Sequence, residues 1–478
     1  MTPLLPLWIP LSLAALAALS LVADALVAST DARFGRALGW SVAAALSALL
    51  LATFFVDVSG PAARGAFVAS AWSLGCQRLF LAAGALAALG AIDDLARHTP
   101  RRTGEFFTLL LTSLAGMTLI PGARDLVLMV VAFELMGVPL YVLTAYAKTG
   151  GEGRAPEAAI KLYLVGATSA ALTLFGLAMI TGMAGGSSLA AVSSAPVTPL
   201  SAVGVALMLA GVAYKIGIAP FHMWVPDAYE GARAPFVAFL SVAPKAAGVA
   251  AVAVIFLEGM PQHRAQWAPA LALLALLSMT VGNVLALQQT DLRRLLGYSG
   301  VAQMGYLLLA LLSGDAFGLG MTLFFLTAYL FTNMGAFFVA HAAAEASGGH
   351  EVARLAGLAQ RAPGTAAALL AFMLSLAGIP FVAGFWAKLY VFLAAWEAGR
   401  GGLVIAALAL AVLGLFYYLR VLQAAYMREP EGEVTAAKGG LGLRLAIGLC
   451  LAGVVVAGLW PAPFVEASMR AGQALLAP

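Results

Sequence analysis

Charged residues are scarce in this chain of 478 residues, where Asp, Glu, Lys and Arg together make up 10%, against roughly 25% in soluble domains. That proportion is too low to cover the surface of a soluble protein of this length, which would form about three domains. Apolar residues make up 62%, and apolar runs of about 20 residues recur, each long enough to cross ~30 Å of hydrocarbon as a helix. The composition therefore predicts an all-α polytopic membrane protein.

Metal and redox ligands are equally rare. The two cysteines, Cys76 and Cys450, lie in or beside apolar segments without a CxxC or Cys/His spacing, so neither a disulfide framework nor a metal site is indicated. The five histidines offer no intramembrane pair for haem, which argues against electron transfer through this chain. A net charge of +4 spread over 478 residues leaves no basic face for nucleic acid.

About fourteen transmembrane helices are predicted when the apolar runs are divided at charges, glycines and prolines. The run from Leu4 to Val27 has no basic residues before it and is interpreted as a retained first helix, not as a cleaved signal. A short amphipathic tail follows the last span. The spans lie near residues 4–27, 37–56, 74–92, 105–120, 123–147, 157–182, 199–223, 234–257, 267–287, 294–312, 316–343, 365–395, 402–426 and 441–461.

Basic residues in short loops predict the orientation, because such loops stay on the cytoplasmic side of a membrane. Fifteen of the 26 lysines and arginines lie in the loops that follow odd-numbered spans, and six lie on the opposite side. Arg420 lies at the inner end of span thirteen. Both termini are therefore expected to face away from the cytoplasm.

Lysines account for the basic residues inside or just within apolar spans, namely Lys161, Lys215, Lys245 and Lys388. A desolvated lysine can release its proton whereas arginine stays charged, so a set of intramembrane lysines suits a proton relay. Glu134 lies near the middle of span five and is expected to have a cationic partner. Lys161, four residues after Glu157, fits an ion pair at a helix end about equally well.

Two spans are interrupted by glycine and proline in apolar surroundings, at 215–224 (KIGIAPFHMW) and at 376–388 (LAGIPFVAGFWAK). Such breaks are tolerated where they line a hydrated or protein-filled cavity, and a pair in corresponding positions indicates inverted repeats. Their prolines, Pro220 and Pro380, are five spans apart, and an odd number of helices per repeat inverts the second copy.

Four motifs resemble one family in their order and content. They are KIGIAPFHMWVPDAYEGARAPFVAFLSVAPK (215–245), QQTDLRRLLGYSGVAQMGY (288–306), SLAGIPFVAGFWAKLYVF (375–392) and FYYLRV (416–421). Together they resemble the antiporter-like membrane subunits of respiratory complex I, over about residues 105 to 427. Within that family, PFHMWVPDAYEGA with FYYLRV favours the subunit N branch, which includes the mitochondrial ND-two subunit.

The resemblance implies two inverted five-helix repeats, residues 105–257 and 258–427, preceded by three helices in 1–104 and followed by span fourteen and a short tail in 428–478. It also implies proton translocation driven by quinone reduction elsewhere in an NADH:quinone oxidoreductase. No cofactor is then expected in this chain, and NADH, FMN, iron–sulfur clusters and quinone are expected in partner subunits. The implied partners are the other membrane subunits of complex I and the lipid bilayer, in a bacterial inner membrane.

The resemblance assigns proton translocation to residues that match the family's motifs, namely Glu134, Lys215, Lys245 and Lys388. Gln303 stands where the family often has a histidine, and glutamine cannot hold a proton at neutral pH. The link between the two half-channels then depends more on water, Ser299 and Tyr306. The supporting residues and helix breaks are Lys161, His222, Ser299, Gln303, Tyr306, Pro220, Gly378 and Pro380.

The expected route takes a cytoplasmic proton first to Lys245 and Lys215, then across the middle of the protein near Gln303, and out by Lys388. Subunits of multisubunit cation/proton antiporters and of membrane-bound hydrogenases share these motifs and remain alternatives. A self-contained solute transporter is disfavoured because no cluster of polar side chains accompanies the breaks. A purely structural subunit is disfavoured by the depth of Glu134 and of the four lysines.

Overall fold

The structure, a computed structural model, describes residues 4–27, 32–56, 58–99, 102–146, 154–429 and 439–476. The first half of the chain forms helices α1 (Trp8–Val27), α2 (Ala32–Ala52), α3 (Ala71–His98), α4 (Thr103–Leu119), α5 (Leu126–Thr144), α6 (Arg154–Ala184), α7 (Leu189–Ser193), α8 (Pro199–Ile216), α9 (Trp224–Gly231), α10 (Ala234–Leu240) and α11 (Ala243–Val252). The second half forms α12 (Arg264–Gln288), α13 (Leu292–Leu311), α14 (Ala316–Ser347), α15 (Leu358–Arg361), α16 (Pro363–Ala377), α17 (Ala383–Glu397), α18 (Gly401–Met427), α19 (Leu441–Leu459) and α20 (Ala462–Leu476).

Twelve segments within the described residues are long and apolar enough to cross a membrane, which confirms the prediction of an all-α polytopic protein. The two other predicted spans correspond to α13 and to the interrupted pair α16 and α17. A small element escaped prediction: strands β1 (Gly60–Ala62) and β2 (Phe67–Ala69) pair antiparallel in the loop before α3. The amphipathic tail is α20, which packs across α3 and α14.

Both predicted helix breaks are present. Helix α8 ends at Ile216, Gly217 adopts the left-handed conformation (φ 72°), and the chain becomes helical again at Trp224, so Pro220 lies inside the break. Helix α16 ends at Ala377, Gly378 is again left-handed (φ 86°), and α17 begins at Ala383, so Pro380 lies inside the second break. Glycine adopts this conformation without a steric penalty, which explains its place at both helix ends.

A third interruption divides span eight (predicted at 234–257). Helix α10 ends at Leu240, α11 begins at Ala243, and a π-helix over Ala253–Glu258 completes the span. Pro244 explains the interruption, because proline has no N–H to donate to the carbonyl of Leu240 four residues earlier. The predicted span is present over Ala234–Glu258, and its interruption at 241–242 was not predicted.

The centre of the protein is formed by α3, α14 and the segment Ala234–Glu258, in which every residue up to Leu257 is buried. Helices α1, α2, α6 and α18 lie outside and present many apolar side chains outward. Small residues allow close helix packing, as at Gly116 of α4, where a Cβ would lie 2.8 Å from the backbone oxygen of Ala132 in α5. In the interior, α11 carries Lys245, α13 carries Ser299 and Gln303, and α17 carries Lys388.

Candidate functional site

Glu134 and Lys215 form an ion pair inside the membrane region. Lys215 lies in the last turn of α8, and its Nζ is 3.7 Å from Oε1 of Glu134 in the middle of α5. The Lys215 side chain is 6% exposed and that of Glu134 40% exposed in this single chain. The rings of Phe133 and Tyr214 lie 5.7 and 5.8 Å from the ammonium. Glu134 therefore has the cationic partner that its depth led us to expect.

A small cavity adjoins the Lys215 ammonium and has room for about one water molecule. Gly137 opens this space, because a Cβ at this position would lie 3.2 Å from Lys215 Nζ and 3.4 Å from Tyr141 Oη. Tyr214 Oη donates a hydrogen bond to the carbonyl of Leu162 at 2.7 Å. The cavity places an ionisable amine next to two phenol groups and a space for water.

Lys245 is completely buried in α11, and its Nζ has no hydrogen-bond partner among the described residues. The centre of the Tyr229 ring is 5.5 Å away. A Cβ built on Gly300 would lie 2.9 Å from Lys245 Nζ and 2.9 Å from Tyr329 Oη, so these two atoms are at most 5.8 Å apart. The ammonium therefore borders α13 and α14 at a position that a larger residue in place of Gly300 would fill.

The first helix break brings Lys215 and Lys245 to its two sides. Lys215 precedes Gly217 by two residues, whereas a Cβ at Gly217 would lie 3.6 Å from Lys245 Cε. Pro244, the residue before Lys245, lines the cavity beside Lys215. The interruption of span eight at 241–242 thus lies near the point where Lys245 of that span approaches the break in span seven.

Lys388 lies beside the second break. Its Nζ donates to the carbonyls of Leu376 (2.7 Å) and Ala377 (3.2 Å), which belong to the last turn of α16 and lack the next helical turn of donors. The centre of the Tyr306 ring lies 5.1 Å from the ammonium. A second cavity with room for about one water molecule reaches Lys388 from the side of Gln303 and Tyr329.

Hydrogen bonds connect Lys388 to α13 and α18. Gln303 Nε2 donates to the same Leu376 carbonyl at 2.9 Å and to Tyr418 Oη at 3.1 Å. Tyr418 Oη in turn lies 2.5 Å from Ser299 Oγ. Ser299 directly precedes Gly300, where Lys245 lies, so this set of side chains extends from the Lys388 carbonyls to the neighbourhood of Lys245.

Several members of this polar interior were missed by sequence reasoning. Asn283 Nδ2 donates to Tyr306 Oη at 2.9 Å, and Tyr417 Oη donates to Asn283 Oδ1 at 3.0 Å. Tyr417 and Tyr418 were quoted in the FYYLRV motif but were given no role. Two adjacent tyrosines and one asparagine within apolar spans were the available signal, since buried polar groups need hydrogen-bond partners.

His222 lies in the segment between α8 and α9, within the first break. The centre of its ring is 6.1 Å from that of Tyr298, and its Nδ1 is buried with no partner in the described part of the chain. Tyr298 directly precedes Ser299 on α13. His222 therefore lies close to the lysine series without a hydrogen bond to any of its members among the contacts described.

Lys161 lies away from the buried lysines, at an exposed end of α6. Its Nζ is 2.7 Å from Glu157 and 3.0 Å from Asp227, and its side chain is 48% exposed. Asp227 also accepts a bond from Arg294 at 3.0 Å, and Arg294 contacts Glu230 at 2.7 Å. This alternating set of charges, which we name the α6–α9–α13 ion chain, fastens the short helix α9 to its two neighbours.

One titratable group in a loop is held neutral. Burial, with smaller contributions from Arg293 and His341, lowers the pKa of His350 to about 3. His350 lies in the loop after α14, where its carbonyl accepts a hydrogen bond from Leu292 N. It therefore stays uncharged at physiological pH. No group of three or more His, Cys, Asp or Glu that could hold a metal occurs within the described residues.

Comparison with known proteins gives consistent matches. A family described as NADH:quinone oxidoreductase/Mrp antiporter, TM matches residues 123–414. NADH-quinone oxidoreductase subunit N of Heliobacterium modesticaldum is 37% identical over 443 residues, which cover 92% of this chain and 93% of that protein. Among solved structures, a chain of respiratory complex I from Thermus thermophilus is 33% identical with a TM-score of 0.78 and covers 95% of this chain and 98% of its own.

A chain of the Mrp complex from Dietzia sp. matches with a TM-score of 0.86, covering 98% of this chain and 97% of its own, at 22% identity. At that identity the match shows a common fold alone. The family match covers more than half of the chain, and it includes Glu134 and all four lysines of the apolar spans. The resemblance drawn from the four motifs is thus confirmed, and the chain belongs to the NADH-quinone oxidoreductase subunit N family of antiporter-like membrane proteins.

Proposed function

We propose that this chain is a proton-translocating membrane subunit of an NADH:quinone oxidoreductase. The observation that carries the proposal is the series formed by Glu134, Lys215, Lys245 and Lys388, whose three lysines are buried and lie beside helix interruptions. Ionisable groups at membrane depth are costly, and those that persist commonly mark ion or proton pathways. Three lysines that can each gain and lose a proton form such a pathway.

Glu134 acts as the electrostatic control of the first lysine. At 3.7 Å, its carboxylate stabilises a proton on Lys215. Any change that moves or neutralises Glu134 removes this counter-charge, so that Lys215 releases its proton toward the small cavity lined by Tyr141 and Tyr214. Lys245, which lies on the other side of the break at Gly217, is the next acceptor in this proposal.

Transfer through the middle of the protein uses the groups on α13. Lys245 borders Gly300, and the neighbouring Ser299 is connected through Tyr418 to Gln303. Gln303 shares a carbonyl acceptor with Lys388. Water in the cavity beside Lys388 completes the transfer, since glutamine orients water without accepting a proton itself. Tyr306 and His222 line this route, and Lys161 supports it from the α6–α9–α13 ion chain. Lys388 releases the proton on the non-cytoplasmic side.

The complex supplies the energy. NADH oxidation and quinone reduction take place in partner subunits that hold FMN and iron–sulfur clusters, and this chain carries protons only. The chain works in a bacterial inner membrane beside the other membrane subunits, with both termini on the non-cytoplasmic side. Residues 105–257 and 258–427 form inverted repeats, each with one half-channel, between the helices of 1–104 and the final helix and tail of 428–478.

Proton pumping by the purified complex in lipid vesicles tests the function. The expected result is that NADH and quinone acidify the vesicle lumen with the wild-type chain, and that Glu134→Gln strongly reduces the signal. Glu397→Gln, which removes an exposed carboxylate at the end of α17, serves as the matched control and should pump normally. Equal pumping by the Glu134 and Glu397 variants would contradict the proposed role of the buried series.

A further inference from the structure

The C-terminal end of α19 lies directly against the second helix break. Helix α19 packs beside α16 and α17, which flank that break, and beside α14. In the first turn of α17, Trp386 Nε1 donates a hydrogen bond to the carbonyl of Gly458 at 2.8 Å. This carbonyl belongs to the last turn of α19, where the helix itself supplies no further donors. The bond therefore joins α19 to the helix that carries Lys388.

Gly458 touches the backbone of the break and leaves no room for a side chain. A Cβ at this position would lie 2.5 Å from the carbonyl oxygen of Phe381 and 2.5 Å from Cα of Val382. Both contacts are backbone atoms, so a change of rotamer cannot relieve the overlap. Any larger residue at position 458 must therefore displace either the end of α19 or the break.

Phe381, within the break, has a backbone conformation that its surroundings must impose. Its φ of 75° lies in the left-handed region, which residues other than glycine seldom adopt. Its side chain is 78% exposed, so side-chain packing within this chain does not explain the conformation. Such conformations persist where the neighbouring structure fixes them. The packing of the Phe381 carbonyl oxygen against Gly458 is one contact that does so.

Ser375 holds the opposite side of the break. Its Oγ accepts a hydrogen bond from Gly384 N at 3.0 Å and lies 2.8 Å from Thr332 Oγ1 of α14. Ser375 directly precedes Leu376 and Ala377, the two residues whose carbonyls accept bonds from Lys388. The break is thus fixed between α14 and α16 on one side and α19 on the other.

Helix α17 connects the contact with α19 to the lysine. Trp386 and Lys388 are two positions apart, which is about 200° around an α-helix. Trp386 therefore faces α19 while Lys388 faces the end of α16. A shift of the break would move the start of α17 relative to α16, and it would change the Lys388 Nζ distances of 2.7 and 3.2 Å to the two carbonyls.

We propose that Gly458 and Trp386 are positioning residues for proton release, because they hold the second break where the carbonyls of Leu376 and Ala377 meet Lys388. This inference rests on the proposed function of Lys388 as the last proton carrier. It adds α19, a helix outside the two repeats, to the release step. The two carbonyls stabilise the protonated amine by accepting its hydrogen bonds, so loosening the contact with α19 weakens that stabilisation.

Proton pumping by the complex in vesicles, measured between pH 6 and 9, tests the proposal. Gly458→Ala should slow pumping about threefold or more, because the break is displaced. The alkaline half-point of its pH profile should move to lower pH, since the protonated form of Lys388 loses stabilisation. The titratable groups that face Lys388 in the described part of the chain are phenols, Tyr306 of α13 and Tyr329 of α14. Gly448→Ala, also in α19, is the matched control and should keep the wild-type rate and profile, because a Cβ there meets no atom within 4 Å.

Trp386→Phe provides a second variant that adds no bulk, and it decides the question if the Gly458 variant does not assemble. It removes the hydrogen bond to Gly458 and should slow pumping about twofold, with the same shift of the pH profile. A wild-type rate and profile in Trp386→Phe would overturn the proposal. A slower rate with an unchanged profile in the assembled variants would also overturn it, because a purely structural contact lowers only the amount of active complex.

Lys388→Met separates this inference from the proposed function. Normal pumping by the Lys388 variant would reject Lys388 as a proton carrier, and with it the inference. Loss of pumping in that variant, together with unchanged pH profiles in Gly458→Ala and Trp386→Phe, would reject the role of α19 alone.

Discussion

Lys388→Met removes the last amine of the proposed route while keeping the length of the side chain. We expect the complex to assemble and its initial rate of NADH-driven proton pumping to fall by about tenfold or more, because methionine cannot accept a proton. Quinone reduction coupled to pumping should also slow, since protons on the earlier residues of the route cannot move on while release at position 388 is blocked. Lys388→Glu should retain part of the activity, because a carboxylate can also relay a proton.

The contacts that Lys388 loses in the methionine variant are partly offset by the burial cost that disappears with its charge. Its two hydrogen bonds, at 2.7 and 3.2 Å, and its position 5.1 Å from the Tyr306 ring contribute about 4 to 8 kcal/mol in total. Burying the ammonium costs several kcal/mol, and this cost also disappears in the methionine variant. Leu376 O keeps its bond from Gln303, so one carbonyl, that of Ala377, loses its donor at a cost of about 1 to 3 kcal/mol. Thermal unfolding of the purified complex beside the wild type checks that the methionine variant stays folded.

The assay is quenching of a pH-sensitive dye in vesicles that contain the purified complex, started with NADH and quinone. NADH oxidation by an artificial acceptor that bypasses quinone serves as the control for intact peripheral subunits. Lys388→Arg provides a further comparison, since arginine can donate to both carbonyls but does not release its proton. Wild-type pumping by the methionine variant would refute the exit role, and wild-type pumping by the arginine variant would show that a fixed charge suffices.

The remaining predictions use the same vesicles. Lys215→Ala and Lys215→Arg should both abolish most quinone-linked pumping, and a fully active arginine variant would rule out a relay at this position. Glu134→Gln should reduce pumping about tenfold while Glu134→Asp keeps much of it, and equal rates for the Gln and Glu forms would remove the proposed electrostatic control. Lys161→Arg should keep most of the activity, because arginine can re-form the exposed ion pairs with Glu157 and Asp227; its loss would place Lys161 among the proton carriers. Tyr418→Phe, which removes the hydroxyl shared by Ser299 and Gln303, should slow pumping about three- to tenfold in the same dye assay, and an unchanged rate would exclude this hydroxyl from the route.

The local effects of single residues explain why the helix breaks could be predicted from the sequence. The glycine and proline residues of KIGIAP and LAGIP predict helix breaks, because each changes the conformation or hydrogen bonding of the backbone at its own position. The interruption at 241–242 was missed because Pro244 stands in an apolar run that otherwise continues without polar residues. A proline within the first turn of a helix is also well tolerated, so its presence did not by itself show on which side the helix had ended.

The side-chain contacts of the candidate site could not be predicted, because they join segments that are distant in the sequence. Glu134 was expected to have a cationic partner on the basis of its depth, but its distance from Lys215 depends on how α5 packs against α8. The bonds of Tyr418 to Ser299 and Gln303 join residues more than a hundred positions apart, and no local pattern specifies such pairing. Lys161 shows the reverse case, since its apolar surroundings in sequence coincide with an exposed position in the fold.

The position of each lysine relative to its helix end suggests why protons would move along the series. Lys215 lies in the last turn of α8 and Lys388 binds the last carbonyls of α16, and the carbonyl end of a helix stabilises a cation. Lys245 lies in the first turn of α11, where the helix dipole disfavours positive charge, and its Nζ has no hydrogen-bond partner in the described part of the chain. Lys245 thus lacks the helix-end and hydrogen-bond contacts that its two neighbours have. In the proposed pathway Lys245 would be the intermediate acceptor between them, and the direction of transfer would depend on whether Glu134 retains the charge on Lys215.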